Sequence, residues 1–79
     1  MKNSSFKIGE EIFYMYSNKP VSKKITSIYS IEGELEIGYS KFKSENGFIK
    51  VLYKTEYDVV EDVFAFANIE DLKKSVFNY

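Results

Sequence analysis

The chain has no cysteine, no histidine, no tryptophan and no arginine, and only one proline among 79 residues. Without cysteine there is neither a disulfide framework nor thiolate chemistry, which suits a reducing compartment. Losing histidine as well removes the usual zinc ligands and the common nucleophile-base pairs. The four glycines are scattered at Gly9, Gly33, Gly38 and Gly47, so no phosphate-cradling loop can be assembled from them. No serine sits in a glycine-bracketed nucleophile elbow. Apolar runs stay far below the roughly 18 residues of a membrane span, and charges appear in the N-terminal stretch before any run of signal-peptide length. A soluble, cytoplasmic, non-enzymatic protein that needs no cofactor and no metal is the expectation, with no membrane partner.

What the chain has instead is rings. Seven tyrosines and seven phenylalanines are present. A chain of this size hides only roughly 60 to 65% of the surface its unfolded form exposes, so side chains with large apolar area are an efficient way to build a small core. The surplus is left to face a partner. Eleven lysines against 12 acidic residues give a net charge of -1, without the strong field of a dedicated nucleic-acid binder or a DNA mimic. The length holds one domain, 1–79.

Gly9 precedes Glu11-Ile12-Phe13-Tyr14-Met15-Tyr16, a β-branched and aromatic run that reads as a strand buried on much of both faces. Ser17-Asn18-Lys19-Pro20 reads as a turn. Residues 21–31 alternate imperfectly, which predicts one long strand with a bend or bulge near Ser27. Glu32-Gly33-Glu34 reads as a hairpin turn, followed by alternation of Leu35, Ile37 and Tyr39 with Glu34, Glu36 and Gly38. Asn46-Gly47 is the strongest short hairpin signal. After it, Ile49, Val51 and Tyr53 fall on one side of a strand, and Lys50 and Lys54 on the other. Residues 59–66 supply a last strand. Asn68 is placed to cap a terminal helix over about 69–77, with Glu70 and Asp71 in its first turn and a stripe of Ile69, Leu72, Val76 and Phe77.

Five short strands within 6–66 and one packed helix predict a mainly β fold, a small five-stranded barrel with a short C-terminal α-helix. The segments Lys7-Ile8-Gly9-Glu10-Glu11-Ile12-Phe13-Tyr14, Lys24-Ile25-Thr26-Ser27-Ile28, Glu61-Asp62-Val63-Phe64-Ala65 and Asn68-Ile69-Glu70-Asp71-Leu72 carry a resemblance. Together they resemble small SH3-like barrel proteins of bacteria and their phages. Those proteins share the Gly-acidic-x-apolar opening and the acidic-Val-Phe-Ala segment leading into an acidic-acidic-Leu helix. The resemblance covers about half the chain, implies the SH3-like barrel and carries little about activity; residues 32–46 fit it least.

Adjacent carboxylates at Glu10/Glu11, Glu61/Asp62 and Glu70/Asp71 do not make acid-base pairs, because neighbours on a strand point to opposite faces. Glu32, Glu34 and Glu36 would share one side of a strand at a spacing of about 7 Å. Without a carbonyl-rich loop they read as a polar face and not as a calcium site.

Two kinds of partner remain. Lys41-Phe42-Lys43 with Lys50, Tyr53 and Lys54 interleaves charge and rings, a pattern that suits single-stranded nucleic acid. The six acidic residues and no lysine of 56–71 oppose that reading. A protein partner fits better, because Tyr and Phe give rigid area at interface centres. The expected surface is centred on Tyr14, Tyr16, Tyr53 and Tyr57 with Lys50 and Lys54 at its rim, and Phe42 and Tyr39 are further rings left over from the core. Tyr53→Ala is then expected to abolish capture of the partner with the fold intact. A compact inhibitor of a host defence enzyme is another version of the same binding role, and an exposed edge along 35–39 would permit a homodimer.

Overall fold

The computed structural model describes residues 5–45 and 47–77. Seven strands precede a short 3-10 turn and one helix: β1 (Glu11–Tyr16), β2 (Lys19–Lys24), β3 (Ser27–Ile31), β4 (Glu34–Ile37), β5 (Ser40–Lys43), β6 (Lys50–Lys54), β7 (Val59–Glu61), the 3-10 turn Asp62–Phe64 and α1 (Ile69–Phe77). They lie in three small antiparallel sheets ordered β1-β2, β3-β6-β7 and β4-β5. The protein is mainly β with a short C-terminal helix, and the described residues form seven strands where the sequence pattern predicts five. Among the described residues no helix is long and apolar enough to cross a membrane.

The extra strands have local causes. The single strand expected over 21–31 is two, because the chain changes partners within one residue. Ile25 still pairs with the residue that leads into β1, its N–H donating to the Glu10 carbonyl at 2.9 Å, whereas the Thr26 N–H and hydroxyl both donate to the Lys54 carbonyl, at 2.7 and 3.0 Å. The other addition is β5. It folds back on β4 through Gly38-Tyr39, with Ile37 opposite Ser40. Gly38 has φ 60 and Tyr39 is not in the positive-φ region, the arrangement of a II′ hairpin turn in which the first central residue is Gly.

Three turn readings shift accordingly. Ser17 and Asn18, with φ of 50 and 64, form the whole β1-β2 turn, so Lys19 and Pro20 already belong to β2. Glu32-Gly33 is no hairpin turn, since β3 pairs with β6 and β4 with β5. Instead Gly33 closes the base of the β4-β5 hairpin by exchanging hydrogen bonds with Ser44, at 2.8 and 2.6 Å. Gly47 sits in a turn closed by the Phe48 N–H on the Glu45 carbonyl, but the strands on either side of it belong to different sheets. Asn46 lies outside the described residues.

The chain entry is built on Gly9. The Glu10 N–H reaches the Lys7 carbonyl at 3.0 Å, which puts Gly9 third in a tight turn, and its φ of +92 is the value that position demands of glycine. Gly9 N–H and Glu10 C=O then both bond to Ile25, a bulge that feeds the chain into β1.

The core gathers Ile12, Tyr14, Ile25, Val51, Tyr53, Val60 and Ala65, with Phe6, Val21 and Ile28 packed against it. Each large apolar side chain removed from water in this way contributes about 1.5 to 3 kcal/mol. Strand β6 sits between β3 and β7, and Val51, Leu52 and Tyr53 are all buried, so it is covered on both faces. Phe13 and Phe66 form an antiparallel bridge, 2.8 and 2.9 Å, that brings the segment after the 3-10 turn alongside β1. Helix α1 follows and packs against β1, and its Leu72 is buried. Its cap is reciprocal: Asn68 Oδ1 accepts from the Asp71 N–H at 2.8 Å, and Asn68 Nδ2 donates to Asp71 Oδ2 at 3.1 Å.

Candidate functional site

Two of the four expected surface tyrosines belong to the core. Tyr14 is 3% exposed and Tyr53 is 0% exposed. Both can be buried because each hydroxyl finds acceptors inside the fold. The Tyr14 hydroxyl donates to Asp58 Oδ2 at 2.7 Å and lies 3.4 Å from Thr55 Oγ1. Burial pushes its pKa up to about 12; the Thr55 hydrogen bond opposes that shift, and the Asp58 carboxylate adds to it. Tyr53 donates to Asp62 Oδ1 and accepts from the Ser5 N–H at 3.0 Å, while Phe6 stands edge-on to its ring with centroids 5.5 Å apart.

The other four predicted residues are dispersed. Tyr16 and Tyr57 are exposed. Lys23 Nζ lies 4.7 Å from the Tyr57 ring centroid, a cation–π contact. Lys50 pairs with Glu61 at 3.0 Å, and Lys54 Nζ is 3.5 Å from the Thr55 carbonyl. Tyr16 and Lys50 line separate clefts, and only Tyr57 and Lys54 meet in one.

The apolar surface gathers around Tyr16 instead. A cleft of about 390 Å³ is lined by Met15, Tyr16, Phe42, Phe64, Phe66 and Val76, with buried Tyr14, Val60 and Leu72 also reaching it. Tyr16, Phe64 and Val76 are 54, 60 and 44% exposed, so the cleft is open and its rim is apolar. These side chains come from the end of β1, from β5 and β7, from the 3-10 turn with its following bridge, and from α1. Sequence alternation over 59–66 reads as strand and gives no sign that Phe64 turns outward. The 3-10 turn breaks that alternation.

A strand edge runs along the same cleft. Thr55 N–H donates to the Asp58 carbonyl at 2.8 Å, which makes 55 and 58 a hydrogen-bonded pair of the β6-β7 hairpin. Antiparallel ladders alternate, so Val60 bonds toward Tyr53 and the N–H and C=O groups of Val59 and Glu61 point away from β6. Beyond β7 the sheet has no further strand among the described residues. On the other wall the Phe13 pair with Phe66 fixes the opposite parity for β1, which turns the backbone groups of Met15 away from β2 and toward this side. Asp58, Val59, Val60 and Glu61 all line the cleft. Asp58 and Val59 also line an adjoining cleft of about 350 Å³ with Ile37, Tyr39, Ser40, Lys54 and Tyr57.

Among the described residues no three acidic, histidine or cysteine side chains are grouped to hold a metal. Glu34 and Glu36 face Lys43 and Lys41 across the β4-β5 pair, and Lys41 also reaches Glu34 at 3.4 Å. The arrangement offers apolar area, two outward-facing backbone edges and the Asp58 carboxylate, which accepts from the neutral Tyr14 phenol. Compared with protein-family models, with curated proteins and with solved structures, the chain matches none.

Proposed function

We propose that this protein is a small non-enzymatic binding module, an open SH3-like barrel that takes a protein partner in the cleft between β1, β7 and α1. One observation carries the reading: Tyr16, Phe64 and Val76 stand exposed around a single apolar cleft in a chain too short to spare such side chains from its core. Large rings at the centre of a contact surface supply most of the binding energy in protein interfaces. Single-stranded nucleic acid is less well supported. Tyr53, the ring best placed among lysines in the sequence, is buried, and Lys41 and Lys50 are already paired with Glu34 and Glu61.

The test uses Phe64→Ser and Tyr16→Ala. A partner captured by the wild-type chain should be lost by about tenfold or more in affinity with Phe64→Ser, at unchanged melting temperature, because rings at such positions are worth about 2 kcal/mol or more. Binding of labelled single-stranded DNA or RNA that collapses with added salt and ignores Phe64→Ser would overturn the proposal in favour of nucleic acid.

A further inference from the structure

We infer that the occupant of this cleft is an extended, basic segment of a partner protein, which adds itself to β7 as a further strand. The inference rests on the binding-module reading and specifies how the cleft is filled.

The first argument compares the open edges. Proteins guard an unpaired strand edge with proline or with lysine side chains, because its N–H and C=O groups template pairing with another chain. Strand β2 is guarded in both ways. Tyr16 and Lys19 flank the two-residue turn as a hydrogen-bonded pair, so Pro20 occupies an outward position where its missing N–H removes a donor, and Lys19, Lys23 and Lys24 surround it. Strand β5 carries Lys41 and Lys43. Strand β7 reads Val-Val-Glu, with neither guard; the backbone groups of Val59 and the Glu61 N–H face away from β6, while the Glu61 carbonyl lies at the N-cap of the 3-10 turn. Strands β3 and β4 are edges without either guard as well, but of these three β7 alone borders the apolar cleft.

The second argument is geometric. Met15 turns its own backbone groups toward the same cleft from β1, so a strand laid there meets hydrogen-bonding groups of two walls while its alternate side chains meet Phe42, Phe64, Phe66 and Val76. Strand addition obtains affinity from the main chain and specificity from such alternate pockets.

Charge selects the sequence of the added strand. Residues 56–71 hold six acidic residues and no lysine, and they include both the β7 edge and the 3-10 turn. Glu61 is matched by Lys50, but the ring and carboxylate pair of Tyr14 and Asp58 brings no positive charge to the cleft. Lysine or arginine at alternate positions of an apolar strand complements this side of the molecule, whereas an acidic strand is repelled.

The experiment uses a short acetylated and amidated peptide alternating valine with lysine, its valine-glutamate counterpart, and the lysine peptide N-methylated at every second residue. Amide exchange is read at Val59 and Glu61 by NMR, together with side-chain shifts of Phe64 and Val76. The lysine peptide should slow exchange at both amides by about tenfold or more, and the other two peptides should not. Glu61 has φ -70, the angle that proline requires, and its N–H faces outward. Glu61→Pro should therefore abolish protection of Val59 by the lysine peptide while the fold is retained, whereas Glu61→Gln, which keeps the N–H, should still show it. Equal shifts at Phe64 and Val76 with methylated and unmethylated lysine peptides would overturn strand addition while leaving the cleft a binding site. Equal protection by the glutamate peptide would overturn the basic occupant. Protection already present without peptide and lost on dilution would put a second copy of the chain at the edge and overturn the inference. Absence of any shift with all three peptides overturns it too, and the binding-module reading then stands or falls separately on loss of partner capture by Phe64→Ser.

Discussion

Tyr14 and Asp58 are joined by a 2.7 Å hydrogen bond that ties β1 to the turn between β6 and β7. The phenol is buried, and the same turn supplies Thr55, whose hydroxyl accepts from the Asp58 N–H at 3.0 Å. The contact thus fastens the β7 edge, and with it one wall of the cleft, to the other wall.

Burial of this phenol, reinforced by the Asp58 carboxylate, makes stability depend on alkaline pH. Folding raises the Tyr14 pKa from 10.0 to about 12, so the fold favours the neutral phenol. The contribution is complete below pH 10 and is lost as pH rises through about 12, with a size on the order of 2 kcal/mol. Denaturant unfolding of wild type and Tyr14→Phe between those limits is the check. The stability difference between them should shift steadily against the wild type across the window. Parallel decline of the two proteins would show that Tyr14 is not the titrating group.

Tyr53 is the second case in which burial decides the outcome. Its ring is wholly enclosed, Phe6 packs edge-on to it, and its hydroxyl bonds to Asp62. Tyr53→Ala should cost about 3 to 5 kcal/mol, as for other large core rings, so loss of binding in this variant would reflect loss of the fold. Tyr53→Phe should cost about 1 to 2 kcal/mol, mainly through the acceptor left behind on Asp62. Urea midpoints of the two variants test the order, and a Tyr53→Ala protein as stable as the wild type would restore the surface role expected from sequence.

Much of this fold was legible in the chain. The strand at 11–16, a turn beginning at Ser17, the Asn68 cap and the span of α1 are local matters of backbone angle and side-chain reach, and each was visible in adjacent residues, although the turn ends two residues earlier than the sequence suggests. Pairing between distant strands was not. Glu32-Gly33 and Gly38-Tyr39 both flank alternating residues, and which of them joins a hairpin depends on β6 claiming β3 as its neighbour. The tyrosines failed for a related reason: a phenol is at home in water or in a core, and Asp58 and Asp62, which allow burial here, are 44 and 9 residues away in sequence from the rings they serve. The run Val51-Leu52-Tyr53 did contain the signal for Tyr53, since three consecutive apolar residues in a strand require cover on both faces.

The Asn68 cap is expected to matter in proportion to its two hydrogen bonds with Asp71. Asn68→Ala should lower stability by about 1 kcal/mol, and Asn68→Ser should recover most of it, because a serine hydroxyl can accept the same helix N–H. Thermal melts of the two variants distinguish capping from general loss of a polar side chain, which would affect both alike.

The helix presents two faces that substitution should separate. Leu72 is 2% exposed in a helix that packs against β1, whereas Val76, one turn later, is 44% exposed at the cleft. Leu72→Asp should cost about 2 to 5 kcal/mol, since it removes a core side chain and buries a charge without a partner. Val76→Asp stays within about 0.5 kcal/mol of the wild type, as surface changes do. It sets a hydrated carboxylate where the apolar side chains of the added strand would pack, however, and should weaken partner capture at unchanged stability. Melting and capture measured on both variants give opposite patterns if α1 is docked as described: Leu72→Asp fails in the melt, and Val76→Asp fails only in binding. A Leu72→Asp protein that melts with the wild type would mean that the helix is detached from the sheet, and the cleft would then lack the wall that α1 provides.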